Sequence, residues 1–291
     1  MESYKTKGIS RRDFLKIFTT GSLGLALAGN TVGIASASSS VLLPADQQKA
    51  LLYDATLCSG CKECELACKR YNKLPDEKVD DLTGNTLTLI KRYSSEDGQQ
   101  VSFRKYQCMH CVEPACAASC PVGALHKLED GPVVYDSYKC IGCRYCMQAC
   151  PFGVPRYDWS LSYPLIRKCE LCYLREAGPA CAEVCPKQSL IYGQRGDLLE
   201  IAKNRIQANP GKYYQDRVYG EFEAGGTSFL ILSAVAFENL GLPIMDDKAL
   251  PDRTQWAINI VPLIFLGVGG TMSAIYKYAK EKQSNNGKEE S

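Results

Sequence analysis

Residues 140–151 read Cys140-Ile141-Gly142-Cys143-Arg144-Tyr145-Cys146-Met147-Gln148-Ala149-Cys150-Pro151. Three cysteines, each separated by two residues, form a loop that wraps one side of a [4Fe–4S] cube, which takes one thiolate per iron. The fourth lies four positions on, about one helical turn away, and so points to the cluster of a neighbouring group. Pro151 stops the helix there. The same grammar occurs three more times. Group one is Cys58, Cys61, Cys64 and Cys68; group two is Cys108, Cys111, Cys116 and Cys120; group four is Cys169, Cys172, Cys181 and Cys185. Pro121 and Pro186 close groups two and four, whereas Lys69 follows group one. All 16 cysteines of the chain belong to the four groups.

Other uses of cysteine fit less well. Disulfides would leave four repeats of one spacing unexplained, and cysteines so close on a tight loop are poorly placed to bridge one another. Zinc takes its four ligands as two pairs, not as three plus one. Buried structural thiols would show no spacing. A zinc or disulfide scaffold that only binds partners is the competing reading from another functional class.

The composition is globular, with 45% hydrophobic and 23% charged residues, and 291 residues suffice for one or two domains with a core. The net charge of +2 is unevenly spread: residues 1–37 carry five basic against two acidic side chains, and the remainder 29 basic against 30 acidic. No basic patch serves a phosphate backbone, which argues against nucleic-acid binding. His110 and His126 are the only histidines, which excludes an extended histidine metal site. No phosphate loop, nucleophile–base pair or open metal position is evident, so independent catalysis is not expected.

The ends carry addresses. Ser10-Arg11-Arg12-Asp13-Phe14-Leu15-Lys16 has the twin arginine of Tat export. An apolar run interrupted by glycines follows, then Ala35-Ser36-Ala37 as a cleavage site, so residues 1–37 read as a signal peptide. Residues 256–276 contain no Asp, Glu, Lys, Arg or His. As a helix they would be about 31 Å long, the thickness of a bilayer core. Asp246, Asp247 and Asp252 precede this run, and Lys277, Lys280 and Lys282 follow it. Positive residues stay inside, which puts the tail, residues 277–291, in the cytoplasm and the cysteines on the periplasmic side of a bacterial inner membrane. Without a residue of these types the helix reads as an anchor, not a redox element.

Leu51-Leu52-Tyr53-Asp54 before group one and Val133-Val134-Tyr135-Asp136 before group three form an internal repeat. Residues 124–127 and 132–135 flank Glu129-Asp130-Gly131 as a hairpin; residues 86–93 and 100–106, around Ser95-Glu96-Asp97-Gly98, form a hairpin inserted between groups one and two. Asp197 and Glu200 make a capping box for a helix ending before Pro210. Residues 229–237 are apolar but too short to span a membrane, and read as a buried strand. His110 is expected to pack rather than to bind a cluster sulfur. Lys62, Arg144 and Lys168, beside ligands, are expected to solvate the surface or neutralise anionic clusters rather than to raise potentials.

Four such groups in this order resemble the four-cluster, ferredoxin-type subunits of membrane-bound respiratory oxidoreductases. The likeness is closer to the hydrogenase-2 type ferredoxin subunit of NiFe hydrogenases, carried by Gln107-Cys108-Met109-His110-Cys111, by Gly142-Cys143-Arg144-Tyr145-Cys146-Met147, by Lys168-Cys169-Glu170-Leu171-Cys172 and by residues 225–247. The resemblance implies an α+β fold of nested bacterial ferredoxin-like 2[4Fe–4S] units with an inserted hairpin and one C-terminal transmembrane helix. The four-cluster domain would occupy residues 38–195, and residues 196–255 would be an extension for partner docking.

It also implies a nested pairing. Cys58, Cys61, Cys64 and Cys185 would hold one [4Fe–4S] cluster, and Cys169, Cys172, Cys181 and Cys68 its neighbour. Cys108, Cys111, Cys116 and Cys150 would hold a third, and Cys140, Cys143, Cys146 and Cys120 the fourth. The implied function is electron transfer from a periplasmic NiFe hydrogenase heterodimer to a polytopic, quinone-reactive membrane subunit. The alternative is the same relay serving a molybdenum or tungsten enzyme that reduces a sulfur compound or oxidises formate.

Overall fold

Strand β1 (Lys49–Asp54) is buried over all but its first residue, because it is the middle strand of a three-stranded sheet. A computed structural model describes residues 42–94, 101–159, 161–162 and 165–289. The expected signal peptide, residues 1–37, and the expected Ser95–Gly98 turn lie outside the described residues.

Strand β8 (Leu190–Gln194) pairs antiparallel with one edge of β1, and β9 (Phe229–Leu232) pairs parallel with the other. Alternation along β1 therefore feeds two cores. Ala50 and Leu52, with Leu230 and Leu232 of β9, pack under helix α5 (Arg195–Ala208) through Leu198, Ala202 and Ile206. Leu51 and Tyr53, with Phe229 and Ile231, face the cysteine region. Each such apolar side chain contributes about 1.5–3 kcal/mol on burial. The apolar run at 229–237 thus supplies a buried strand, as its composition predicts. Part of the segment following group four is therefore built into the sheet that carries group one.

The two hairpins read from the sequence form. Strands β2 (Leu89–Ser94) and β3 (Val101–Tyr106) pair antiparallel between groups one and two, and β4 (Leu125–Lys127) pairs with β5 (Val133–Tyr135). A further pair, β6 (Arg156–Tyr157) with β7 (Ile166–Arg167), lies between groups three and four and has no counterpart in the sequence reading. The chain is thus a mixed α+β fold of small sheets and helices.

Helix α5 differs from expectation at its start. It begins at Arg195, with no side-chain cap, so Asp197 sits inside its first turn. The reason is tertiary: the Arg195 N–H donates to the Gln48 carbonyl at 2.8 Å, which satisfies an orphan donor that a capping box would otherwise take. The C-terminal helix α6 (Leu250–Glu289) runs beyond the expected span at both ends. Its apolar stretch, Ile260–Tyr278, is unburied and about 28 Å long, long and apolar enough for a single membrane span.

Candidate metal centres

The four groups use two loop designs, each built twice. In groups one and three, Gly60 and Gly142 adopt φ of +71° and +70°. Lys62 and Arg144 then turn left-handed, each at φ 65°, immediately before helices α1 (Glu63–Asn72) and α3 (Tyr145–Ala149). The loop thereby delivers Cys64 and Cys146 on the first helical turn. In groups two and four, His110 (φ 45°) and Leu171 (φ 59°) take the left-handed conformation. Pro114 and Pro179 then start the one-turn helices α2 (Ala115–Ala118) and α4 (Ala180–Glu183). A non-glycine residue pays about 1–2 kcal/mol for this backbone. Its recurrence at matched positions marks loops whose shape is imposed by what they surround.

The designs combine in a nested way. Helix α1 packs on α4, and α2 packs on α3. Strand β1, before group one, pairs with β8, after group four, with Tyr53 opposite Leu190. Strand β5, before group three, pairs with β4, after group two, with Tyr135 opposite Leu125. The internal repeat is thus kept down to strand register.

Three hollows are each lined by four cysteines drawn from two groups. A cavity of about 290 Å³ is bordered by Cys68, Cys169, Cys172 and Cys181. A tighter cleft is bordered by Cys58, Cys61, Cys64 and Cys185, and another by Cys120, Cys140, Cys143 and Cys146. The remaining four are also neighbours: burial pushes the Cys111 thiol well up, and Cys108, Cys150 and Cys116 push it further. The sets follow one another. Cys64 is raised to about 11 by burial, against the pull of Lys105, with Cys181 of the next set adding to the rise. Cys169 is raised by burial, by Cys68 and Cys181 of its own set, and by Cys108 of the third. Cys116, pushed up to about 12 by burial and Cys108, also senses Cys146 of the fourth.

Crowded thiols in this state are protonated at neutral pH and release their protons to a metal. None of the sixteen is joined in a disulfide. Among the described residues no three Cys, His, Asp or Glu groups gather round one point as for a single ion. Four soft donors around a hollow suit a cube, in which each thiolate meets its own iron. A buried polar atom supports that fit: Gln107, which lines the 290 Å³ cavity, has its amide Nε2 without a protein partner.

Neighbouring side chains divide. His110 is fully buried, and its Nδ1 accepts the Val133 N–H at 3.0 Å. Burial, with Lys168 and Lys127 nearby, holds its ring well below the ordinary imidazole value, and its Nε2, like the Gln107 amide, has no protein partner. Lys62 and Arg144 are exposed as expected, and the Arg144 guanidinium lies 4.6 Å from the Trp159 ring centre. Lys168 is instead buried, donating to the carbonyls of Val133 and Cys169. Lys105 is buried too, and the sequence reading passed over it. In a strand that reads Arg-Lys-Tyr before a ligand, only its inward register would have signalled this.

A family profile described as 4Fe-4S dicluster domain matches residues 99–195. The hydrogenase-2 operon protein HybA of Escherichia coli O157:H7 is 35% identical over 307 aligned residues, covering 89% of this chain and 90% of that protein. The nitrate-inducible formate dehydrogenase iron–sulfur subunit of Escherichia coli K12 is 31% identical, covering 78% and 82%. The B subunit of the anaerobic dimethyl sulfoxide reductase of the same strain is 38% identical, covering 53% and 81%. On fold, cysteine pattern and these likenesses together, the protein belongs to the family of respiratory iron–sulfur electron-transfer subunits.

Proposed function

We propose that this relay subunit carries four [4Fe–4S] clusters, held as the nested sets described above, between a catalytic partner and a quinone-reactive membrane subunit. Bound cubes accept and pass on single electrons. The chain's part is to hold them in sequence: the thiolates of Cys58, Cys61, Cys64 and Cys185 at one end, and those of Cys120, Cys140, Cys143 and Cys146 at the other. The observation that supports this most is the mixed lining of the hollows, in which the fourth cysteine of a group sits with three from its nested partner. Nested ferredoxin-like units over residues 38–195, partner docking by residues 196–255, Tat export and a periplasmic cysteine domain complete the reading. Helix α6 would be the anchor.

For the catalytic partner, the molybdenum or tungsten reading has the stronger support, since relatives include subunits of a dimethyl sulfoxide reductase and a formate dehydrogenase. The hydrogenase reading keeps one observation in its favour, the near full-length likeness to HybA. Elemental analysis of the detergent-solubilised complex, purified anaerobically, separates them. About 16 irons from this chain with molybdenum or tungsten and no nickel is the expected result. Nickel in their place moves the relay to a hydrogenase. Zinc, or no metal, overturns the cluster assignment.

A further inference from the structure

Lys105 is 1% exposed, and among the described residues no carboxylate forms an ion pair with it. An ammonium so placed is costly unless negative charge compensates it. Its surroundings name the compensation. On β2, directly across the hairpin, its register partner Ile90 lines the cleft of Cys58, Cys61, Cys64 and Cys185. Its Nζ donates to the hydroxyl of Thr88, which lines the cavity of Cys68, Cys169, Cys172 and Cys181. The ammonium therefore stands between two cysteine sets.

A polar string extends from it. The Thr88 hydroxyl, having accepted from Lys105, donates to the Gln107 Oε1 at 3.5 Å. With its oxygen turned to Thr88, Gln107 is 1% exposed on the same cavity wall and its Nε2 is unpartnered. The two hydrogen bonds, Lys105 to Thr88 and Thr88 to Gln107, thus run in one direction, ending on the wall of the hollow. Burial would push the Lys105 ammonium down, yet Cys181, Cys64, Cys68 and Cys169, once ionised, outweigh it and lift it above the ordinary lysine value.

We propose that Lys105, acting with Thr88 and Gln107, raises the reduction potentials of the two clusters it stands between, by a fixed positive charge shared by both and by an amide N–H offered to a sulfur of the one in the 290 Å³ cavity. Adding an electron makes a cluster more negative, so a buried cation and a hydrogen bond to sulfur both favour the reduced form. Thr88, Ile90, Lys105 and Gln107 are all absent from the lining of the hollow of Cys120, Cys140, Cys143 and Cys146, whose cluster keeps its potential.

This rests on the cluster reading above, and one experiment separates the two. The detergent-solubilised complex would be titrated electrochemically and followed by electron paramagnetic resonance, with iron counted on the same samples. Lys105→Met is expected to weaken reduction of two clusters at least tenfold, about 59 mV for one electron, with Lys105→Arg restoring most of it. Gln107→Leu should shift one cluster only. Full iron with unshifted potentials in Lys105→Met and Gln107→Leu overturns the tuning role and leaves the clusters in place. Loss of a cluster in both Lys105→Met and Lys105→Arg also overturns it, since the side chain would then matter for packing. Wild-type complex without clusters removes both readings.

Discussion

Substituting cysteines in pairs tests the nested assignment more sharply than any single substitution. Cys68 shares its cavity with Cys181, 113 positions away, and not with Cys64, one helical turn before it on α1. Cys68→Ser with Cys181→Ser therefore removes two thiolates from one set. Cys68→Ser with Cys64→Ser removes one from each of two sets. With about four irons per cube and about 16 in all, the first variant should keep three unaltered clusters and about 12 irons. The second should keep only two unaltered clusters. If each group of four instead kept its own cube, the two variants would exchange results. Integrated spin of the reduced complex, with iron counted on the same anaerobic preparation, reads the number directly. Three unaltered clusters in the Cys64/Cys68 variant would refute the nested assignment, whatever the total iron.

Three further outcomes follow from the packing. Asp54 is fully buried and accepts from Arg205 at 2.9 Å, from Tyr213 at 3.1 Å and from the Thr56 N–H and hydroxyl at 3.0 and 2.6 Å, so Arg205→Ala takes away its one cation among the described residues and leaves three hydrogen bonds. Because Arg205 is 24% exposed, the cost should fall below that of a fully buried pair, at about 2 kcal/mol, lowering the melting midpoint by roughly 4–8 °C; an unchanged midpoint would refute it. Gly60 and Gly142 have the same backbone, but a Cβ on Gly60 would strike the Phe103 ring while one on Gly142 meets nothing within 4 Å. Gly142→Ala should therefore cost about 1–2 kcal/mol and keep its iron, whereas Gly60→Ala should also lose iron; equal losses would show that the ring gives way. Burial alone would raise the Asp81 carboxyl, but hydrogen bonds from Lys91, the Leu82 N–H and Arg156 hold it below the usual range. Its stabilising contribution is present above about pH 3.9 and is lost as pH falls through the folded value. Asp81→Asn should be less stable than wild type at pH 7 by under about 1 kcal/mol in urea unfolding, the gap closing in acid; a pH-independent gap counts against it.

What the sequence makes legible is local. The ligand spacing, the hairpin at Glu129-Asp130-Gly131 and the apolar strand after Gly226 each depend on neighbours within a few residues. What it hides is set by distant partners. The parallel pairing of β9 with β1 joins segments on either side of all four groups, and no periodicity announces it. The Asp197 cap fails because Gln48, from before β1, satisfies the helix start first. Left-handed His110 and Leu171 violate local preference and hold that shape only within the assembled loops. Lys105 reads as a surface lysine until groups one and four bring their thiols around it.

The antiparallel pairing of β1 with β8 has a consequence for assembly. It brings the start and the end of the cysteine region side by side, so on the proposed nesting a cube seated there would act as a cross-link that closes nearly the whole region into a loop. Closing a long loop costs a bare chain entropy, and metal binding then supplies free energy to folding itself. Iron delivery and chain closure would then be coupled. On that reading a molecule short of this one cube would hold the seam by the β1–β8 hydrogen bonds alone, and the machinery that loads iron would also decide how firmly the chain is closed.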